Sequence, residues 1–168
     1  MAYEVWQPGM RINATRLRSI SPTWSDWTPT WSTTTGANTP SFGNALVTAR
    51  YAQSALTVHW WIDIAFGSTT SFGGGGTGDN WLFSLPVTAA GSQDICGFGS
   101  AEDASNVSGS RLPVRVRCFD ANHFNLDTAG GRQDGTALAN TGAIDALTPW
   151  TWASGDDIWI QGTYEAAG

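Results

Sequence analysis

Lysine is absent from this chain of 168 residues, and its eight basic residues are all arginine. Charged residues make up 13% of the chain, whereas globular proteins average about 25%. The net charge is −6. Binding to phosphates requires a concentrated basic surface, so we expect no nucleic-acid partner.

Long apolar runs are also missing. No stretch approaches the roughly 18 consecutive apolar residues of a membrane span. The N-terminus lacks the apolar core of a signal peptide. We therefore expect a soluble chain that is not secreted and has no membrane partner.

Cysteine is scarce, with Cys96 and Cys118 as its two occurrences. They form no CxxC or Cys/His spacing, so we expect no zinc, no other metal and no cofactor. Cys118 lies on the apolar side of an alternating segment, where a free thiol packs as a small hydrophobe. A disulfide would require the two strands to pair, which the sequence leaves open. We interpret both residues as reduced.

Tryptophan is abundant instead, with ten residues, and much of the chain alternates with a period of two. Apolar residues are in phase from Leu56 to Phe66 and again from Leu112 to Cys118, which predicts half-buried strands. Trp24–Trp31 and Trp150–Trp152 are predicted strands as well. Seven or eight short strands at this spacing predict an all-β fold, an antiparallel β-sandwich or jelly roll over residues 23–168.

Residues 1–22 have a different character. Residues 1–18 contain three arginines against one glutamate, a balance of +2, whereas the remainder has a balance of −8. The segment has too few apolar residues for a core of its own. We predict an extended N-terminal arm that docks on something acidic, either a partner protein or a neighbouring copy. The alternative is that the three arginines bind no partner and simply keep the chain terminus exposed to solvent.

Aromatic residues occur on both faces of the predicted strands. His59 and Trp61 face away from Trp60, and Trp159 faces away from Ile158. Because large aromatics on both faces cannot all enter one core, we predict that His59, Trp61 and Trp159 lie at a subunit interface. The alternative is that loops of the same subunit cover them.

Residues suited to catalysis do not form a recognisable set. His59 lies near Asp63, and His123 lies near Asp120, but no nucleophile in a G-x-S-x-G turn accompanies them. Adjacent carboxylates such as Asp156 and Asp157 are more typical of solvated loops than of a glycosidase pair. We therefore predict that the chain is not an enzyme.

Carbohydrate binding is a rival interpretation. Asp79 and Asn80 precede Trp81 at the end of a glycine-rich loop, so the two polar residues could bind sugar hydroxyls while the indole stacks on the ring. The alternative is that Trp81 belongs to the core or to an interface.

Residues 6–17 at the start of the chain follow the pattern W-x-P-G-x-x-I-T-A-x-R-L, with Asn13 in place of the usual threonine. This pattern resembles the start of small structural proteins of tailed phages and prophages of actinobacteria. Residues 27–31, 43–51 and 83–86 are similar to parts of a β-domain that recurs in those virion proteins. Residues 152–165 are similar to the closing strand of that domain.

This resemblance implies a homotrimeric virion surface protein, assembled in the cytoplasm of the bacterial host and bound to the major capsid protein or another virion protein. The first expectation is a capsid decoration (cement) protein anchored by its N-terminal arm. The alternative is a small head or tail fibre, or receptor-binding protein, whose lectin-like sandwich binds a host-surface glycan. The residues expected to attach the arm are Trp6, Pro8, Arg11, Ile12, Arg16, Leu17 and Arg18.

Overall fold

The computed structural model describes residues 7–74, 78–92, 95–106, 110–128 and 142–168, with the backbone alone for residues 18–20. These residues form a nearly all-β fold, as predicted. One short helix, α1, spans Ala14–Ile20. The described strands are β1 (Ser25–Asp26), β2 (Trp31–Thr33), β3 (Leu46–Ser54), β4 (Thr57–Ala65), β5 (Trp81–Ser84), β6 (Gly97–Glu102), β7 (Arg111–Cys118), β8 (His123–Thr128) and β9 (Asp157–Glu165).

All nine described strands belong to one antiparallel sheet, in the order β1-β3-β4-β9-β6-β7-β8-β5-β2. The edge strands β1 and β2 are separated in sequence by residues 27–30 alone. This short link draws the two edges of the sheet together, so the sheet curls on itself and its inner face encloses the core. The sandwich-like body is therefore confirmed, although it is built from one curled sheet.

Aromatic rings from distant strands fill the inside of the curled sheet. Trp60 of β4 stacks on Phe124 of β8 with ring centroids 5.1 Å apart, and Phe124 stacks on Phe83 at 5.5 Å. Trp31 continues the series, 5.6 Å from both Phe83 and Phe66. Stacked rings contribute beyond the area that they bury. The space inside the curled sheet is thus filled by aromatic side chains of the sheet itself.

Three predicted strands differ from the structure. The segment Trp24–Trp31 forms two short strands at opposite edges of the sheet. Trp150 and Trp152 lie in a buried loop, where the Trp152 indole N–H donates to the Thr148 carbonyl oxygen at 3.1 Å. Leu56 lies in the β3–β4 turn, because Ala55 before it adopts a left-handed φ of 53°.

Two glycines allow strands β6 and β9 to approach each other closely beside Trp60. A Cβ on Gly162 would lie 1.9 Å from the Cys96 carbonyl oxygen, and one on Gly97 would lie 3.0 Å from Cζ2 of Trp60. The register pairs Gly162 with both Trp60 and Gly97. The Trp60 indole therefore packs against backbone at this point.

Candidate functional site: the outer aromatic face

The N-terminal residues expected to anchor the chain are only partly described. Trp6 lies outside the described residues, and of Arg18 the structure describes the backbone alone. Pro8 and Gly9 form a turn in which Gly9 has a φ of 87°, a conformation that favours glycine. Residues 7–22 thus contain a turn and a two-turn helix, not an extended segment throughout.

The helix α1 begins at a side-chain cap. The Asn13 side-chain oxygen accepts a hydrogen bond from the Arg16 backbone N–H at 2.9 Å, as N-cap asparagines and threonines do. The Arg16 guanidinium donates to the Arg11 carbonyl oxygen at 2.9 Å. Ile12 is 67% exposed and Leu17 is exposed as well. These apolar side chains are uncovered in the single chain, although whether they bind a partner remains a prediction.

The outer side of strands β4, β9 and β6 has an unusual concentration of aromatic side chains. The register places Trp61, Gln161 and Phe98 directly opposite one another in a row across the three strands. Side chains in such a row lie about 4.5–5.5 Å apart at Cβ. Phe98 is 58% exposed, and Trp61 is half-buried. We call the outward side chains of these strands, together with Trp24 and with Arg111 of β7, the outer aromatic face.

At one end of this face Glu165 carries a charge at the end of β9, but the described outward side chains between it and the row Trp61–Gln161–Phe98 include no carboxylate or guanidinium. These residues, the neutral half, are Trp24, His59 and Thr163 together with that row. Trp24 is 43% exposed, and His59 Nδ1 lies 3.0 Å from Thr163 Oγ1. A groove of about 630 Å³ lies between these residues. Ligand pockets typically enclose about 300–1,000 Å³.

The opposite end, the charged half, consists of Asp63, Trp159, Asp157, Glu102 and Arg111. The Arg111 guanidinium lies 5.6 Å from the Trp159 ring centroid, a cation–π contact. Arg111 Nε also donates to a Glu102 carboxylate oxygen at 2.9 Å. Trp159 lies directly opposite Asp63 in the β4–β9 register. Aromatic and arginine side chains are enriched at protein–protein contacts, whereas aspartate and glutamate are depleted there.

Two carboxyl groups of the charged half have raised pKa values. Burial raises the pKa of Asp63, while the hydrogen bond from Trp159 opposes the shift. Burial also raises the pKa of Asp157, and the like charges of Glu102, Asp63 and Asp156 raise it further. A carboxyl group that is partly desolvated and repelled by neighbouring acids holds its proton more tightly than a free one.

The sequence-predicted interface residues therefore share one face but divide between its two halves. Trp159 lies in the charged half, His59 lies in the neutral half, and Trp61 borders both. Loops of the same subunit do not bury them completely, since His59 is exposed and the two tryptophans are half-buried. Whether a second subunit covers them stays a prediction.

The rival interpretation of Trp81 as an exposed sugar platform is wrong, and the alternative, that Trp81 belongs to the core, is confirmed. Trp81 is 0% exposed, and its indole N–H donates to the Phe72 carbonyl oxygen at 3.2 Å. Asp79 is also buried, where it accepts hydrogen bonds from Thr35 and Asn38 that lower its pKa. Asn80 is half-buried, and its backbone binds the neighbouring Thr34. This cluster holds a loop in place against the core.

Both cysteines are free and buried, in agreement with the interpretation as reduced thiols. The hydrogen bond between the two thiols and their burial raise the pKa of Cys96. Among the described residues, no three His, Cys, Asp or Glu side chains are grouped so as to hold a metal ion. In the same residues, no helix has the length and apolar character required to cross a membrane.

Sequence reasoning missed several residues of the outer aromatic face, namely Trp24, Phe98, Gln161, Asp63 and Arg111. Phe98 lies between two glycines in a short, weakly patterned segment, so its outward direction depends on the β6–β9 register. On β6, Glu102 lies opposite Arg111 of β7, and Ser100 lies opposite Trp159 of β9. Arg111 and Trp159 therefore contact each other across β6. The local signals for this face were Trp61 and Trp159, two aromatic residues out of phase with the apolar residues of their strands.

Comparisons of the chain with protein-family models, with curated proteins and with solved structures find no match.

Proposed function

We propose that this chain is a non-enzymatic surface protein of a tailed-phage virion. In this proposal it is a homotrimeric capsid decoration protein that residues 1–22 attach to the major capsid protein or another virion protein. The resemblance of residues 6–17 and 152–165 to virion proteins motivates the assignment. The protein then acts by binding alone, with no chemical step.

The single observation that supports the proposal most is the outer aromatic face. The inner aromatics Trp60 and Phe124 already fill the core, yet Phe98 and Trp24 remain exposed on the other side of the sheet. Exposed aromatic patches of this kind usually mark contact surfaces. The charged half, with Trp159 against Arg111, has the chemistry of an interface centre, so we place the contact between copies there.

The arm supports attachment through its own chemistry. Ile12 and Leu17 are exposed apolar residues, and Arg11 lies beside them with an exposed side chain. An acidic body with a basic N-terminal segment favours docking of that segment on a negative surface. A trimer bound through three arms gains avidity, so modest contacts at each site would hold the protein on the particle.

Removing the arm tests the proposal. Deletion of residues 2–20 leaves every described strand intact, so we expect a folded body by circular dichroism. That body should no longer bind purified virions stripped of the native protein, as measured by co-sedimentation. The double variant Ile12→Asp/Leu17→Asp should fail in the same way, whereas the control Thr15→Asp, which adds charge at an exposed helix position, should bind. Full occupancy by the truncated chain would contradict the proposal.

A second candidate function, a small head or tail fibre that binds a host-surface glycan, has one specific observation in its favour. The neutral half presents a groove lined with aromatic rings and neutral polar groups. Trp81, Asp79 and Asn80 do not contribute to it, because they lie in or beside the core.

A further inference from the structure

We propose that the groove of the neutral half binds a neutral oligosaccharide of pyranose sugars. The inference deepens the second candidate function, on which it rests, and does not require that the protein decorate a capsid. It names the ligand class and the residues that would contact it.

The groove offers aromatic surface of the kind that stacks on sugars. Phe98 and Trp24 are exposed, and Trp61 lies half-buried beside them in the middle row. A pyranose has one face made mainly of C–H groups, and burying that face against an aromatic ring removes apolar surface from water. The three rings border one groove, so successive sugars can be held along it.

Neutral hydrogen-bonding groups lie among these rings. Gln161 stands between Trp61 and Phe98, and its amide has no hydrogen-bond partner among the described residues. An amide supplies both donors and acceptors, as a sugar hydroxyl requires. The His59–Thr163 pair adds a second polar contact at the same groove.

The charges around the groove argue against an ionic ligand. The described lining residues include no carboxylate and no guanidinium, and the chain has no lysine. The arginines at either end of the middle row are paired with acids, Arg50 with Asp26 at 2.9 Å and Arg115 with Asp127 at 2.6 Å. A phosphate, sulfate or sialic acid would therefore lose water without a free cation to replace it.

The position of the groove in the sheet argues against an extended peptide. Strands β4, β9 and β6 each pair with a neighbour on both sides. Their backbone groups are thus already hydrogen-bonded, so a peptide cannot add as a further strand there. A saccharide needs side-chain contacts alone, which this face provides.

A glycan array tests the inference directly. The full-length protein, fluorescently labelled, is applied to an array that presents neutral oligosaccharides of hexoses, 6-deoxyhexoses and N-acetylhexosamines beside sialylated and sulfated ones. We expect binding to a subset of neutral glycans. Isothermal titration with the best neutral glycan then gives its Kd. Binding to none of the neutral glycans, or to acidic glycans alone, would overturn the proposal.

Matched variants locate the site. Phe98→Ala and Gln161→Ala change exposed side chains, so both variants should keep the thermal unfolding midpoint of the parent. Each should weaken glycan binding by about tenfold or more, the effect of losing roughly 1.4 kcal/mol of contact. The control Leu46→Ala removes an exposed apolar side chain from the opposite end of the sheet face and should bind normally.

The outcomes separate this inference from the capsid proposal. Equal glycan affinity in the Phe98→Ala, Gln161→Ala and Leu46→Ala proteins would overturn the groove as the site. If Phe98→Ala loses glycan binding but still co-sediments with virions, the glycan site and virion attachment are both supported. If the arm variants keep full virion binding while the groove variants lose glycan, the arm proposal fails and the glycan site stands.

Discussion

The two faces of the central strands differ in what covers their aromatic side chains. On the inner face Trp60 stacks against Phe124 from a strand on the far side of the curled sheet. On the outer face Trp61, the very next residue, lies beside cross-strand neighbours such as Gln161 and is half-buried, and Phe98 beyond it is 58% exposed. The same alternation therefore produces one surface that stabilises the fold and another that is available for binding.

Burial therefore separates the residues that stabilise this molecule from those available for binding. A core residue contributes to folding through contacts that no partner is needed to complete. An outer residue such as Phe98 costs little when removed, unless a ligand or a second copy covers it. Paired substitutions on the two faces can test this separation.

The largest expected effect is on the inner face. Phe124→Ala should lower the free energy of unfolding by about 3–5 kcal/mol, because it opens a cavity between Trp60 and Phe83. Phe98→Ala, the same substitution on the outer face, should change it by less than about 0.5 kcal/mol. Urea denaturation of both variants measures the contrast. Similar losses in the two proteins would mean that Phe98 belongs to the core after all.

Much of the inner face was predictable from the sequence. Alternation alone places Val58, Trp60, Ile62 and Ile64 on one side of β4, and all four are buried. The split of Trp24–Trp31 between opposite edges was not predictable, since it depends on which strands pair across the whole sheet. Local periodicity determines which way a side chain points but does not determine its neighbours.

The second effect concerns the charged half. If copies meet there, Trp159→Ala should convert the trimer to monomers at micromolar concentration, because removing a central aromatic typically costs about 2 kcal/mol or more. Multi-angle light scattering gives the mass of the particle in solution. Thr163→Ala, an exposed position on the same strand in the neutral half, is the control and should leave the mass unchanged. A parent protein that is monomeric even at high concentration would contradict the trimer.

The smallest effect is electrostatic. Since burial and nearby acids raise the pKa of Asp157 in the folded state, the folded chain holds that proton more tightly than the unfolded chain. Stability is therefore lost as pH rises through this pKa. Asp157→Asn should raise the Tm at neutral pH, and the gain should disappear below the ordinary value of 3.8. Glu165→Gln, at the exposed end of the same strand, should show no such gain when both are followed by scanning calorimetry.

The candidate site was less predictable than the core. Trp61 and Trp159 were identifiable because each is an aromatic residue out of phase with its apolar neighbours. Phe98 and Gln161 join them only through the β4–β9–β6 register, which no local pattern specifies. The glycine-rich loop before Trp81 suggested that its ring could be exposed, but the fold places the ring inside the core.

Attachment to a virion through the N-terminal arm is tested most directly by a cryo-electron microscopy reconstruction of the intact particle. The proposal predicts density for this chain on the virion surface in groups of three, with residues 11–17 against an underlying virion protein. Absence of the chain from purified virions, or an arm that points into solvent on the assembled particle, would contradict it.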